Sequence, residues 1–415
     1  MEDKVVLEYL EKEAVRQNEG IELVASENYP SASVREAQGS IFTAKYAEGY
    51  PGHRYYGGCV NVDAVENIAI ERAKKLFEVP YANVQPHSGS QANMAAYHAV
   101  LEKGAKILSL TLNDGGHLTH GSPVSFSSHD YRFAFYSLNE EGRLDYDLLE
   151  QALHQEKPDL LLAGYSAYPF AIDFKRIRKI IDAYNKKTEA DCLFMVDMAH
   201  IAGIVAAGLC QNPCLYADIV TSTTHKTLRG PRGGLILSKH EDWAKKINAS
   251  IFPYSQGGPL EHVIAGKAIA FGEALHPAFR EYMKKVLANT KACSDEFAKM
   301  GKTVSGTENH LFMVNVLESY GITGKEAEAR LGRIGVTVNK NMIHGDTQKP
   351  AYASGIRIGF AAASSRGCTL EESKEIAHII DDCLKGKDEE KLKKRVWRIS
   401  SSWPDVMSLS YPIEQ

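Results

Sequence analysis

The chain contains 415 residues, of which 44% are hydrophobic and 24% are charged. This composition is typical of a globular protein with roughly two or three domains, and it excludes collagen-like and intrinsically disordered chains. The 48 Lys and Arg residues are outnumbered by 52 Asp and Glu residues, so a formal net charge of -4 leaves no excess of positive charge for nucleic acid. No run approaches the roughly 20 apolar residues of a membrane helix, and the first residues lack the pattern of a secretory signal. We therefore predict a cytoplasmic protein that binds neither membranes nor nucleic acid.

The cysteine and glycine patterns narrow the chemistry further. Seven cysteines form a sparse, odd-numbered set, which predicts free thiols rather than a disulfide framework. Cys210 and Cys214 lie close together, but their spacing does not match a zinc site, so we predict free core thiols there and no bound metal. No two of the 33 glycines are separated by a single residue. This excludes the glycine-rich loops of classical NAD enzymes and of protein kinases.

In chain order, the first predicted element is an amphipathic helix over residues 1–17. It places Val6, Leu10 and Ala14 on one side, as in an arm that packs on a neighbouring chain or on the main body. Short apolar runs then alternate with helix-length amphipathic stretches, which is typical of a parallel sheet covered by helices. These runs are ILSL (107–110), DLLLAG (159–164), DCLFMVD (191–197) and DIVTST (218–223).

Each of these runs ends in polar or small residues. Ligands of open α/β sheets bind at the carboxyl ends of the strands. Asp197 ends one of the runs, and Ser166 and Lys226 follow two others, so we expect them to converge on one crevice.

The last third of the chain has a different pattern. Apolar residues from Phe279 to Phe297 recur at helical spacing in a stretch closed by Gly301, which predicts a long amphipathic helix linking two domains. Thr369 and Glu372 form a capping-box pattern that begins another helix, ending near residue 386. The predicted division is an N-terminal arm (1–28), a large domain (29–270) and a smaller C-terminal α/β domain (271–415).

Two residues at strand ends have chemical potential. Lys226 lies in TSTTHKT (221–227), among hydroxyls such as that of Thr223 and beside His225, so its amine could be neutral enough to form an imine. A lysine whose amine is merely paired or reaches solvent fits the same pattern. Asp197 ends an apolar run, where a buried carboxylate needs a cationic partner such as a protonated pyridine nitrogen. A helix cap explains Asp197 equally well.

Four further segments contain residues that could bind a ligand, and three of them have a structural explanation as well. HSGSQAN (87–93) could cradle a phosphate at a helix N-terminus or form an ordinary cap. In GGHLTHG (115–121), His117 could stack on a flat ligand or be a surface histidine. KYAEGYPGHRYYGG (45–58) holds Glu48, Arg54 and four tyrosines, more than a structural turn requires. In SGIRIG (354–359), Arg357 could clamp a carboxylate bidentately or pair at the surface.

Taken together, ten segments resemble the serine hydroxymethyltransferase family, in the order that the family has them and over nearly the whole chain. They are IELVASEN (21–28), KYAEGYPG (45–52), RYYGGC (54–59), ANVQPHSGSQAN (82–93), GGHLTHG, VDMAHIAG (196–203), THKTLRGPRGG (224–234), QGGPLEHVIAGKA (256–268), VTVNKN (336–341) and SGIRIG. The resemblance implies an aminotransferase-like α/β fold. Its large domain has a mostly parallel seven-stranded sheet, and a smaller C-terminal α/β domain and an N-terminal helical arm complete it.

The resemblance also implies a cofactor, pyridoxal 5'-phosphate, bound as a Schiff base to Lys226. Its ring nitrogen would pair with Asp197, and His117 would cover one face. Thr223 and His225 would stand beside the lysine. The remaining implied cofactor residues are Ser88, Gly89 and Ser90 at the phosphate, Ser166 and His200 beside the phenolic oxygen, and Tyr46 and Gly258 supplied by the other subunit of a homodimer, with a tetramer as a further option.

For the substrates, the resemblance implies two sets of residues. Ser26, Tyr56 and Arg357 would hold the carboxylate of the amino acid, and Glu48 would handle its hydroxyl group or a proton of tetrahydrofolate. Leu112, Gly116, Leu118 and Asn341 would line the pocket for tetrahydrofolate, the co-substrate. The implied reaction converts serine and tetrahydrofolate into glycine and 5,10-methylenetetrahydrofolate, and its reverse.

Several positions depart from the family pattern, and they leave a second function open. The departures are His53, Val60, Asp114, Tyr254 and Ser255 in FPYSQGG (252–258), KPA (349–351), and Phe360 in GFAA (359–362). We interpret them as clustering near the substrate and folate pockets. The alternative is a specialised relative that acts on an α-substituted amino acid such as α-methylserine or on a longer β-hydroxy amino acid. Such a relative could act with or without folate. A silent paralogue would be expected to lose Lys226 or Asp197, and both are present.

Overall fold

A computed structural model describes residues 3–414. The α-helices are α1 (Lys4–Glu19), α2 (Ala32–Gln38), α3 (Val60–Phe77), α4 (Gly89–Val100), α5 (Phe126–Asp130), α6 (Tyr146–Glu156), α7 (Phe174–Thr188), α8 (Ala202–Ala206), α9 (Glu241–Ala249), α10 (Glu261–Leu275), α11 (Pro277–Lys299), α12 (Val316–Tyr320), α13 (Gly324–Arg333), α14 (Ala361–Ser365), α15 (Leu370–Leu384) and α16 (Glu389–Ser400). The strands are β1 (Ile21–Glu22), β2 (Gly49–Tyr50), β3 (His53–Arg54), β4 (Tyr81–Asn83), β5 (Lys106–Leu110), β6 (Arg132–Tyr136), β7 (Leu160–Ala163), β8 (Leu193–Asp197), β9 (Ile219–Thr223), β10 (Gly234–Ser238), β11 (Leu311–Asn315), β12 (Val336–Thr337), β13 (Asn339–Asn341) and β14 (Gly355–Gly359).

The chain forms two compact units. The first combines the residues up to Ala32 with Glu281–Ser410, and the second combines Ser33–Arg280 with the C-terminal residues from Tyr411 onward. The three-part division at residues 28 and 270 stays a prediction.

The second unit is built on a seven-stranded sheet of order β4-β10-β9-β8-β7-β5-β6. Strands β9, β8, β7, β5 and β6 run parallel, whereas β10 is antiparallel to both of its neighbours. Every residue of β7, β9 and β10 is buried, which explains their nearly continuous apolar sequences, since a parallel sheet is covered on both faces. The predicted mostly parallel sheet and its four predicted strands, now β5, β7, β8 and β9, are confirmed.

Local sequence explains why helices begin between these strands. Asp145 and Asp173 cap α6 and α7 by accepting hydrogen bonds from free backbone amides of the first turn. Helix α7 buries Ile177, Ile181 and Tyr184 and exposes most of its basic residues, so it covers the sheet with one apolar face. These caps set where the two helices begin.

The first unit contains a three-stranded antiparallel sheet of order β11-β14-β13 and a short parallel pair of β1 with β12. Its apolar core includes Phe297, Phe312, Ile356 and Ile380, all fully buried. The predicted long helix corresponds to α11, and the predicted capping box opens α15: Thr369 accepts from the Glu372 amide, and Glu372 accepts from the Thr369 amide. Both predictions are confirmed.

The N-terminal helix is confirmed as α1, which buries none of its residues. Val6 and Leu10 are both about half exposed. None of the helices in residues 3–414 has the length and apolar character needed to cross a bilayer. All seven cysteines are free, but Cys210 is exposed, so its prediction as a core thiol was wrong. Cys210 lies in the connection after α8, whereas Cys214, in the short helical turn that follows, is buried.

The capping box of α15 generates the first prediction. Thr369→Ala removes the side chain that satisfies the Glu372 amide, so we expect the free energy of unfolding to fall by about 1 kcal/mol. Lys391→Gln serves as a control, because its contact with Asp388 is 3.9 Å long and its side chain is 83% exposed. Urea unfolding measures both. Equal stability of Thr369→Ala and the control would contradict a stabilising cap.

Candidate functional site

The carboxyl edge of the large sheet gathers several predicted residues of the second unit. Asp197 ends β8 and Thr223 ends the neighbouring β9. Gly164, directly after β7, has a φ of 98°, and a Cβ atom there would lie 1.9 Å from the Asp197 carbonyl oxygen. Only glycine therefore lets the segment that leads to Ser166 pass so close to β8.

The Asp197 carboxylate is the best-connected group at this edge. Its Oδ2 accepts hydrogen bonds from Asn93 Nδ2 at 2.9 Å and pairs with His120 Nε2 at 3.2 Å, while its Oδ1 accepts from the Ala199 amide at 3.0 Å. Burial raises the pKa of Asp197, but the hydrogen bond and charge of His120, together with the charges of His117 and Lys226, offset burial and hold that pKa well below its usual range. The carboxylate therefore stays ionised.

Asn93 orients this carboxylate, and Thr119 supports Asn93 in turn. Asn93 Nδ2 also contacts Thr119 Oγ1 at 2.8 Å, and Asn93 Oδ1 accepts from the Thr221 hydroxyl at 2.6 Å. His117 Nδ1 lies 2.7 Å from the same Thr119 hydroxyl. Burial lowers the pKa of His117 to about 4, so its imidazole is neutral at physiological pH.

The ligand atoms of His117, His120 and Asp197 lie within 4.8 Å of one another, a grouping that could hold a metal ion. However, Asn93 directs an N–H donor at Asp197 Oδ2. That donor uses one of the carboxylate's acceptor sites, and the remaining sites are available to a further cationic group.

Lys226 lies in the turn that follows β9, and it is buried. Two backbone hydrogen bonds close this turn, from the Arg229 amide to the Lys226 carbonyl (3.0 Å) and from the Gly230 amide to the Thr224 carbonyl (2.7 Å). Arg229 adopts a φ of 60°, a left-handed conformation unusual for a residue with a side chain. The turn is therefore sharply defined around the lysine.

Polar atoms beside Lys226 lack protein partners. Within residues 3–414, Thr223 Oγ1 and His225 Nδ1 are buried without a hydrogen bond. Burial, together with the charges of Lys226, Arg232 and Lys267, lowers the pKa of His225 to about 3, so this ring is neutral. Buried polar atoms without partners are costly unless a bound molecule supplies the missing contacts.

The segment before α4 forms a tight cradle against this turn. Ser88 caps the helix, accepting from the Gln91 amide at 3.2 Å. A Cβ atom at Gly89 would lie 2.6 Å from Thr223 Cγ2, and one at Gly234 would lie 2.3 Å from the Ser88 carbonyl oxygen. Ser90 is exposed. The helix cap is thus real, and the remaining amides of the first turn are oriented as in anion sites at helix N-termini.

The other residues predicted near the cofactor also follow strands of this sheet. Ser166 comes three residues after β7, and its amide donates to the Gly115 carbonyl at 2.7 Å. His200 follows β8 and is buried, and its carbonyl oxygen accepts from the Thr227 hydroxyl at 2.9 Å. This bond ties the segment after β8 to the turn that contains Lys226.

A second group within the same unit contains Tyr46, Glu48, Tyr56 and Gly258. The rings of Tyr46 and Tyr56 are 5.0 Å apart. A Cβ atom at Gly258 would lie 3.3 Å from the Tyr46 ring, and one at Gly257 would lie 3.2 Å from the Glu48 carboxylate. Glu48 also lines a groove of about 550 Å³ with Tyr55, Phe252, Pro253, Tyr254, Ser255, Gln256 and Gly257. The four residues of this group therefore lie together within one chain.

Arg54 anchors the loop that contains Glu48. Its guanidinium contacts Asp63 at 2.8 Å, Glu66 at 2.6 Å and Glu261 at 3.3 Å, and all but Asp63 are nearly inaccessible to solvent. Burial and the adjacent Glu66 raise the pKa of Glu261 to about 8. One proton is therefore retained among these carboxyl groups at neutral pH, which reduces their mutual repulsion.

In the first unit, Arg357 lies on β14 and is buried. Its Nε donates to Asn339 Oδ1 at 3.2 Å, and its Nη2 lies 3.4 Å from Ser26 Oγ. Burial lowers the pKa of Arg357 to about 10, so it remains charged. Asn341 lies on the adjacent β13 and donates to the Met342 carbonyl at 2.6 Å.

The predicted folate residues Leu112, Gly116 and Leu118 surround the turn after β5. A Cβ atom at Gly116 would lie 2.4 Å from the Leu110 carbonyl oxygen, while both leucines are partly exposed. Asp114 accepts from the Thr111 hydroxyl at 2.8 Å, so this departure from the family pattern closes the turn locally.

Burial and local contacts give the departures from the family pattern different structural roles. Phe360 is completely buried, and its ring packs in the apolar core of the first unit. Our interpretation of it as a pocket residue was therefore wrong. Val60 is 76% exposed. Tyr254 stacks on His98 with ring centroids 3.5 Å apart, and together with Ser255 it lines the groove beside Glu48.

Sequence reasoning missed the two residues that orient Asp197. His120 lies in the same GGHLTHG segment as His117, three residues later, and Asn93 ends HSGSQAN. Both residues lie in segments that the sequence analysis had selected. A predicted buried carboxylate needs polar partners, and the polar side chains of these segments were candidates for that role. The roles assigned to individual site residues stay predictions.

The ionised Asp197 generates the second prediction. Asn93→Asp replaces the donor at 2.9 Å by a second carboxylate, which raises one carboxyl pKa above its unfolded value near 4. The variant's deficit in unfolding free energy should therefore grow as pH rises through that raised pKa, and we expect about 1–3 kcal/mol at pH 8 and less at pH 5. Urea unfolding at both pH values measures it.

Asn248→Asp is the matched control, because Asn248 uses its carbonyl oxygen as an acceptor from Asn83 and a carboxylate preserves that bond. It should change stability by less than about 0.5 kcal/mol at either pH. A deficit of Asn93→Asp that is the same at pH 5 and pH 8 would show that Asp197 is not ionised.

Comparison with known families agrees with this geometry. The family model described as serine hydroxymethyltransferase matches residues 1–380 of the 415. Members of this family are pyridoxal-phosphate-dependent enzymes that transfer a hydroxymethyl group between serine and glycine. The match spans both the turn that contains Lys226 and the strand that contains Arg357. The chain therefore belongs to the serine hydroxymethyltransferase family.

Proposed function

We propose that the enzyme interconverts serine plus tetrahydrofolate with glycine plus 5,10-methylenetetrahydrofolate. The observation that supports this most is the ionised Asp197, whose side chain is 11% exposed and is held by Asn93 and His120 beside the turn that contains Lys226. Bound pyridoxal phosphate supplies an electron sink for the bond-breaking step, provided that its ring nitrogen stays protonated. A carboxylate with a strongly lowered pKa is the partner that such a nitrogen requires.

The residues around Lys226 fit this cofactor. Lys226 would hold it covalently, and neutral His117 could cover its ring without adding a charge. Thr223 Oγ1 and His225 Nδ1 are buried without partners among the described residues, so they are available to contact a bound molecule. Ser166 and His200 would stand near its phenolic oxygen.

The cradle at α4 fits the cofactor's phosphate. Ser88, Gly89 and Ser90 combine hydroxyl groups with the amides of a helix N-terminus, and Gly89 is packed too closely against Thr223 for any side chain. We propose that Tyr46 and Gly258 of a second copy complete this site in a homodimer. The support is that Tyr46 and Gly258 lie in one group with Glu48 and Tyr56. Within this group, Tyr46 and Tyr56 are about half exposed.

Substrate contacts are proposed from the charged groups of the chain. Arg357, with Ser26 beside it and Tyr56, would bind the carboxylate of the amino acid, because a guanidinium matches a carboxylate with two parallel hydrogen bonds. Glu48 would exchange the proton of the substrate hydroxyl group or of the folate. Leu112, Gly116, Leu118 and Asn341 would contact tetrahydrofolate. Free thiols in a chain with seven cysteines support a cytoplasmic location.

The groove beside Glu48 supports a second candidate function. Tyr254 and Ser255 line it where the family is glycine-rich, and Ala351 is exposed where an aromatic residue is usual. These changes would suit a relative that takes an α-substituted or longer β-hydroxy amino acid. Because Phe360 lies in the core, the groove is the main structural support for this alternative.

Turnover assays separate the two candidates. We expect serine cleavage that depends on tetrahydrofolate and exceeds the rates with threonine and α-methylserine. Borohydride reduction of the yellow protein, followed by peptide mass mapping, should place the cofactor on Lys226 alone. A label on another lysine would remove the basis of the site, whereas faster folate-free turnover of α-methylserine or threonine would establish the second candidate.

Arg357→Lys provides a separate test of the carboxylate contact. An ammonium group keeps the charge but cannot form the two parallel hydrogen bonds, so we expect about ten- to a hundredfold weaker serine binding. Arg333→Lys is the control, since Arg333 pairs with Glu389 at the surface and should leave serine affinity unchanged. Unaltered serine affinity in Arg357→Lys would make Arg357 a structural residue.

A further inference from the structure

Lys267 is a fully buried lysine that the proposed reaction does not use. It lies on α10 and is 1% exposed. Its Nζ donates to three backbone carbonyl oxygens, those of Val84 at 2.6 Å, Gly234 at 2.8 Å and Pro86 at 3.1 Å. All three protons of a charged ammonium group are thereby used, and such charge-assisted bonds are roughly twice as strong as neutral ones.

The three carbonyls belong to the two segments that face each other at the cofactor site. Val84 and Pro86 lead into the Ser88–Ser90 cradle, and Gly234 begins β10 directly after the turn that contains Lys226. The segments also touch without Lys267, since the Gly234 amide donates to the Pro86 carbonyl at 2.9 Å. A Cβ atom at Gly233 would lie 2.5 Å from Lys267 Cε. The chain thus provides a glycine where the lysine side chain passes.

The charge of Lys267 is felt on both sides of this junction. Burial lowers the pKa of His87, and the Lys267 charge lowers it further. His225 experiences the same charge together with those of Lys226 and Arg232. The carboxylate that acts on Lys267 is Glu66, which already contacts Arg54 at 2.6 Å. The ammonium group therefore contributes a positive field at residues 87 and 225, next to the cradle and the reactive lysine.

We propose that Lys267 is a positioning residue that holds the Ser88–Ser90 cradle against the Lys226 turn and, in its protonated form, supplies a positive charge behind the phosphate of the cofactor. The inference rests on the proposed function, because it assumes that the phosphate binds at Ser88–Ser90. It makes Lys267 a determinant of affinity for the phosphorylated cofactor over the same ring without phosphate.

The test compares pyridoxal phosphate with pyridoxal, using cofactor-depleted protein and Lys267→Gln, Lys267→Met and Lys267→Arg. Because only the former has a phosphate, the ratio of the two dissociation constants removes effects on Lys226. We expect Lys267→Gln and Lys267→Met to lower the preference for pyridoxal phosphate about tenfold. Lys267→Arg, which keeps the charge, should recover most of it. In NMR titrations the pKa of His87 should rise in the Gln and Met variants.

The unmodified protein provides a measurement that does not depend on folding of the variants. Burial lowers the pKa of Lys267 to about 7, and only its charged form favours the phosphate. The preference for pyridoxal phosphate should therefore decline as pH rises from 7 to 9, a range in which the phosphate is already a dianion. The groups facing Lys267 are Glu66, His87 and His225.

Gln256→Met is the matched control. Gln256 accepts from the His87 amide at 3.0 Å and donates to the Gln85 carbonyl at 3.0 Å, so it holds the same segment without a charge. It should keep the decline above pH 7, whereas Lys267→Gln should abolish it. A pH-independent preference in the unmodified protein, or equal losses of pyridoxal and pyridoxal phosphate in the Lys267 variants, would overturn the proposal.

Ser90→Ala separates failure of this inference from failure of the proposed site. If Ser90→Ala lowers the preference for pyridoxal phosphate and the Lys267 variants do not, the phosphate is correctly placed and the role of Lys267 is wrong. If Ser90→Ala leaves the preference unchanged, the placement of the phosphate is wrong, and the proposal for Lys267 falls with it.

Discussion

The largely buried carboxylate of Asp197 is the constraint on which the proposed cofactor site depends. An ionised carboxylate inside a sheet protein is costly unless donors and cations surround it. Asn93, His120 and the Ala199 amide provide those donors, and each comes from a different part of the chain or from the turn after β8. The sheet edge, the first turns of α4 and the GGHLTHG segment must therefore adopt one mutual arrangement.

A second polar network connects this site with the loop that contains Glu48. Gln85 donates to the Gly49 carbonyl at 3.0 Å and to Glu66 at 2.8 Å, and Gln256 links the Gln85 carbonyl to the His87 amide. Fully satisfied buried networks favour a single geometry, since any shift leaves a polar group without a partner. Hydrogen bonds thus connect the Glu48 loop to the segment that leads into the Ser88–Ser90 cradle, although the two have separate proposed roles.

The departures from the family pattern acquire different meanings once burial is known. Phe360 is a core residue and Asp114 closes a turn, so neither supports a change of substrate. Tyr254 differs, because it stacks on His98 and lines the groove beside Glu48. Specificity would therefore be sought in that groove rather than near Arg357, whose contacts with Ser26 and Asn339 are ordinary for a buried guanidinium.

The sequence by itself determined the strands that build the sheet, the capping box of α15, the lysine after β9 and membership of the family, because apolar runs, caps and ordered motifs are local patterns. Only the tertiary structure decided which side chains meet. Asn93 and His120 lie 104 and 77 residues from Asp197, and Lys267 reaches carbonyls up to 183 residues away. Local spacing does not specify such contacts, since they arise from strand order and burial. Local sequence likewise did not specify that Phe360 lies in the core and Cys210 at the surface.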